Sequence, residues 1–185
     1  LTDIEPRAEL ATERLLPSKS EDRTTDLRRA LSTDETLLSF QLHETESYLW
    51  AITWEHTELH VLPGIRSLAP QVREFQRAVR AGSPDAIPLG EKLYRSLFGK
   101  VSRTALSKRD WILVLDDVLY QVPLSALVAG RDAGRPVYLI ERHGIRSMPA
   151  AFMPLRRMPG DLAGGFLGVG DAIYNTADPR WTGVR

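Results

Sequence analysis

Residues 111–115, Trp-Ile-Leu-Val-Leu, form an unbroken apolar run that stops at Asp116-Asp117. A strand with one wet face alternates apolar and polar residues, whereas a strand covered on both faces has no polar side to show. The run therefore reads as a strand with cover above and below, and this constrains the fold more than any other feature. Residues 164–171, Gly-Gly-Phe-Leu-Gly-Val-Gly-Asp, read as a second buried strand ending in a glycine-containing turn. Between them lie a short helical or turn segment (Pro123–Val128), a strand in Val137–Glu141 and another in Gly144–Met148. A helix follows with Pro149 near its first turn. Buried strands alternating with helices predict an α/β sheet covered on both sides. No internal repeat is visible.

The first half of the chain has a different texture. Residues 1–16 have helix-forming composition, with Leu10, Leu15 and Leu16 as a partial apolar face. Residues 17–25 are polar, open on Pro17 and read as a linker. Asp26–Leu31 is expected as a short helix, and Thr36–Glu44 as a strand. Ser47–Trp54 and Thr57–Gly64 then form two β-rich runs, in the first of which Tyr48, Trp50, Ile52 and Trp54 recur with period two. The spacing predicts a hairpin with that aromatic row half-buried. Ile65, Leu68, Val72, Phe75 and Val79 fall on one face of a helix. Leu89, Leu93, Leu97 and Phe98 mark a second helix that stops at Gly99.

Bulk properties narrow the function. Formal net charge is zero, so charge alone does not make the whole chain a polyanion binder. Cysteine is absent, which excludes disulfides, thiolate metal sites and a Cys nucleophile within these residues. His56 and His60 are four apart, but the residues around them alternate as in a strand, so no metal site is expected. There is no apolar run of transmembrane length and no signal peptide, so a cytoplasmic protein without membrane contact is expected. The chain starts at Leu1 rather than Met, as a piece of a longer protein would.

The order of these segments resembles the CHAT family, a group of bacterial caspase-like modules associated with tetratricopeptide repeats. The resemblance is carried by Leu31–Phe40, by the "YLW" strand in Ser47–Trp54 and by Leu59–Pro63 returning with "LP". It continues through Ile112–Leu127 with its acidic turn and "VPLSAL", the "LIER" of Tyr138–Arg142, and Ser147–Ala151. It ends in Phe166–Tyr174, similar to the family's "LGxGDPxY". Val122-Pro123-Leu124 lacks the family's aromatic after Pro, and Asp171 is followed by Ala rather than Pro.

The resemblance implies an α/β fold: a partial caspase-like, mostly parallel sheet flanked by helices, preceded by a β-rich hairpin subdomain and a helical stub. Residues 1–16 would end an upstream tetratricopeptide-like region, and residues 26–185 would be the N-terminal part of the CHAT domain. The parent would be a regulated cysteine endopeptidase that cleaves protein targets, using a His–Cys dyad placed after the strand matching Phe166–Gly170. This chain would then hold no catalytic residue and be inactive alone. The alternative is a catalytically dead CHAT-type interaction or signalling module. Either way the partner is a protein, and no cofactor is implied.

Five features invite sharper readings. His143-Gly144 imitates the His of the dyad but precedes the strand it should follow. Asp116-Asp117 after a buried strand resembles a magnesium-holding pair, yet the phosphate loop such a site needs is missing, so these are expected as turn residues. The glycines of 164–170 lie before and within a strand, not after one as a dinucleotide fingerprint requires. Lys and Arg outnumber Asp and Glu over 66–109, which suits a solvated outer helix face better than a nucleic-acid surface. Arg180 and Trp181, in the loop after the last strand, are candidates to line a substrate pocket. That assignment comes from the caspase resemblance.

Overall fold

The structure, a computed structural model, describes residues 20–152. Its centre is a five-stranded sheet built from β1 (Glu35–Gln41), β2 (Glu46–Ile52), β3 (Thr57–Pro63), β4 (Asp110–Val114) and a short strand at Gly144–Ser147, numbered β7 below. The spatial order is β3-β2-β1-β4-β7. The sheet is mixed. β1 runs antiparallel to β2 and β2 to β3, while β1–β4 and β4–β7 are parallel. The α/β sheet flanked by helices is thus present, with two parallel and two antiparallel pairings. β1 pairs with β2 along one edge and β4 along the other, so the β2–β3 hairpin is continuous with this sheet.

β4 lies between β1 and β7, and its Trp111, Ile112, Leu113 and Val114 are all buried, as its lack of polar alternation predicts. Its even and odd residues feed two cores. Trp111 and Leu113 join Leu38, Phe40, Leu49, Ala51 and Leu62 on one face, under α2 (Ile65–Arg80) and α3 (Ala86–Phe98). Leu68, Val72 and Phe75 from α2, with Leu93, Leu97 and Phe98 from α3, fill that core. Ile112 and Val114 join Leu37 and Ile52 on the other face, under Leu27 of α1 (Ser20–Ala30) and Leu31 just after it. Helices thus cover both faces. α1 starts six residues before Asp26, so its first turns take in part of the polar stretch assigned to a linker.

α1 is short, and the core on its face is small: Leu37, Ile52, Ile112 and Val114 beside Leu27 and Leu31. Of the β2 row expected half-buried, Ile52 is buried and Tyr48 half-buried, while Ser47, Leu49 and Ala51 of the opposite parity are fully covered. Trp50 is 39% and Trp54 45% exposed, and on the same side of β3 Leu59 and Val61 are exposed as well. Ser47 tolerates burial because its Oγ contacts both the amide and the carbonyl of His43. Arg28 ties α1 to the hairpin turn by donating to the carbonyls of Trp54 and Glu55.

The N-terminus of α2 sits on the β1–β2 loop. The amides of Gly64, Ile65 and Arg66 donate to the carbonyls of Thr45, His43 and Glu44, satisfying donors that a helix start leaves free. A β-carbon at Gly64 would collide with the backbone of Glu44 and Thr45, which explains the glycine by close approach. After α3, a single turn α4 (Arg103–Leu106) is capped by Ser102, whose Oγ accepts from the Ala105 amide.

Beyond β4 two 3₁₀ turns (Asp117–Gln121 and Leu124–Ala126) lead to a small hairpin, β5 (Val128–Asp132) and β6 (Arg135–Tyr138). Its turn holds Ala133 and Gly134 at positive φ. The strand expected over Val137–Glu141 ends at Tyr138. Leu139–Arg142 is instead a helical turn, α5, whose start is closed by the Tyr138 amide donating to Glu141 at 2.7 Å. Among the described residues no helix is long and apolar enough to cross a membrane.

Candidate functional site

In α/β sheets with parallel strands, ligands gather at the carboxyl ends of those strands. Here that edge is formed by the ends of β1 and β4, with Asp116-Asp117 directly after β4. The Asp116 Oδ2 accepts the Leu42 amide at 2.8 Å, joining the exit of β4 to the exit of β1. Asp117 opens the 3₁₀ turn at φ 41°, and Val118 and Leu119 behind it are buried. Asp116 therefore acts as a backbone tie. The turn reading fits this geometry better than a metal pair does.

The densest polar constellation lies elsewhere, where β3 meets α4. Glu58 projects from β3 between two histidines of the same strand region. His56 Nε2 lies 2.7 Å from its Oε1 and His60 Nε2 2.8 Å from its Oε2. The Ser102 amide donates to Oε2 at 3.1 Å, and the Ser102 hydroxyl donates to Oε1. Burial pushes the Glu58 carboxyl up. The hydrogen bonds from Ser102, His56 and His60 outweigh it and bring the pKa down to about 2.

The chemistry open to this cluster is limited by where its protons point. A Ser–His–carboxylate nucleophile needs the hydroxyl proton aimed at an imidazole. Here it goes to the carboxylate, and the same oxygen accepts the Ala105 amide. The Nε2 atoms of both histidines face the Glu58 carboxylate as donors, so neither offers a lone pair to accept the hydroxyl proton. Among the described residues no group of three or more His, Cys, Asp or Glu is arranged to hold a metal ion. Glu58 instead locks the edge strand onto the cap of α4.

His143 lies at the opposite end of the sheet from the carboxyl edge, just before β7. Its ring stacks on Trp111 with centroids 4.2 Å apart and planes at 25°. Nδ1 donates to the Lys108 carbonyl at 2.9 Å. Burial lowers its pKa; the Lys108 hydrogen bond acts the other way and nearby Arg142 lowers it further. No thiol accompanies it, since the chain has none.

Of the remaining sequence candidates, Arg180, Trp181 and the glycines of 164–170 lie outside the described residues. Arg66 of the basic stretch pairs with Glu44 at 2.8 Å, and Arg73, Arg77 and Arg80 line the exposed side of α2. The Glu58 cluster escaped sequence reasoning because its fourth member, Ser102, is 44 positions away. The His-x-Glu-x-His spacing at 56–60 was the available signal, since alternate residues of a strand share a face. A scan against known protein families and a search of curated proteins both find no match to this chain.

Proposed function

We propose that this chain is the N-terminal portion of a CHAT-type, caspase-like domain whose parent is a regulated cysteine endopeptidase acting on protein targets. Its share of the work is scaffolding: it contributes core strands and helices, and the His–Cys dyad belongs to sequence beyond Arg185. One observation carries the reading. A strand buried on both faces, β4, runs parallel to β1 and β7 between helical layers, in the chain order that the resemblance requires. The test is to read the coding sequence past Arg185, express the full protein, and compare it with a variant whose dyad Cys is replaced by Ala. Cleavage of a co-expressed protein target, lost in the variant, is the expected result. A natural sequence without the His-Gly and Cys turns would overturn proteolysis.

The exposed row of Trp50, Trp54, Leu59 and Val61 favours a second reading, in which the domain is a catalytically dead interaction module. A full protein that lacks the dyad and loses partner binding on Trp50→Ser would establish it.

A further inference from the structure

A cleft of about 540 Å³ opens beside His143, lined by Tyr94, Arg103, Leu106, Ser107 and Arg142. It lies at the amino ends of β1, β4 and β7, away from the carboxyl edge. Two guanidinium groups face this one space, and no carboxylate lines it. The acids closest in the chain are engaged elsewhere. Glu141 pairs with Arg135 at 3.1 Å, Glu91 with Arg131 at 2.7 Å, and Asp110 with Arg109 at 4.0 Å.

Arg142 is seated over Gly130, where a β-carbon would come within 3.3 Å of its Nη2. His143 is held from two sides, by Trp111 and by the Lys108 carbonyl, which leaves Nε2 as its uncommitted nitrogen. The Tyr94 hydroxyl adds a polar contact, the Ser107 hydroxyl donates to the Thr104 carbonyl at 3.0 Å, and Leu106 adds an apolar wall. Guanidinium groups, a hydroxyl and a protonatable imidazole around an acid-free space are the donor set that recognises a tetrahedral oxyanion.

We propose that this cleft binds a phosphate group, with Arg103 and Arg142 as its charged contacts and His143 Nε2, once the ring is protonated, as a third donor. The site is independent of the protease reading, because it uses neither the carboxyl edge nor any residue beyond Arg142–His143.

The experiment follows the His143 ring signals by NMR in the whole chain, with inorganic phosphate added at constant ionic strength set by chloride. The expected result is a saturable shift, together with a rise in the His143 pKa, because a bound anion stabilises the imidazolium. Arg103→Gln and Arg142→Gln should each weaken binding about tenfold. Both side chains are exposed, so an unchanged far-UV spectrum serves as the folding control. Phenyl phosphate distinguishes the source. Tighter binding than inorganic phosphate assigns the cleft to a phosphate carried on an apolar group, and equal binding assigns it to the free anion. The absence of a saturable shift with both probes, or affinity unchanged in the double variant, overturns the site.

Discussion

Replacing Glu58 by Gln tests whether charge, and not shape alone, holds β3 to α4. The native carboxylate accepts from two imidazoles and from both donors of Ser102. Gln keeps one oxygen but turns an amide N–H₂ toward donors and removes the negative charge. A carboxyl held at about 2 instead of 4.5 corresponds to roughly 3 kcal/mol of linked stability. The side chain keeps some solvent contact, so about 2 kcal/mol is the expected loss at pH 7. The sign follows from the depressed pKa. The contribution is complete above pH 4.5 and disappears as pH falls toward 2. Urea unfolding of both proteins between pH 7 and pH 3 measures this directly. The gap between them should narrow as the medium becomes acidic. A gap that stays constant over that range would refute the charge argument and leave only packing.

Three further outcomes follow from the structure. Thr36 is fully buried and its hydroxyl donates to the Ala105 carbonyl at 2.7 Å, so Thr36→Val should cost about 1–3 kcal/mol in denaturant unfolding despite matching shape. Gly64→Ala forces a β-carbon into the β1–β2 loop backbone and should destabilise by about 3 kcal/mol, whereas Gly82→Ala, which meets no atom, should lose only the smaller cost of its positive φ. His143 has its pKa lowered by burial, so its neutral form favours folding, and that contribution fades as pH drops below 6.5. His143→Phe keeps the stack on Trp111 but does not titrate, and its stability should fall less steeply than the native protein's across that window.

How much of this was legible in the sequence depends on whether the cause was local. The unbroken apolar run at 111–115 located the central strand, and the spacing of Leu68, Val72 and Phe75 located α2, because burial on both faces or on one face writes itself into consecutive residues. The period-two row of β2 marked one face, but Ser47 and Ala51 on the other are fully buried too, because the sheet is covered on both sides, a tertiary fact. Strand direction was not legible locally, because apolar runs show burial and not direction; β4 turns out parallel to both its neighbours. Leu139–Arg142 carries strand-like residues, but the Glu141 side chain closes a helical turn there. Among the candidate sites, the role of Asp116 followed from its place after a strand. Glu58, the most strongly perturbed carboxylate of the described residues, acquired its environment only when Ser102 arrived from far along the chain.

The tie between the Leu42 amide and Asp116 closes a loop of 74 positions, and the whole β1–β4 ladder depends on the same closure. The β1–β2 and β2–β3 pairings, by contrast, need only short turns. Loop-closure entropy must be overcome before distant contacts return any stabilisation, so the three-stranded meander is free to assemble early while β4 waits. During that interval one side of β1 carries unpaired backbone groups, and Leu37 and Leu38 lack their β4 neighbours Ile112 and Leu113. A nascent chain emerging from a ribosome would meet the same delay, because β4 is synthesised only after both α2 and α3. Closing β4 onto β1, a step on which β7 pairing in turn depends, is the expected slow step of folding.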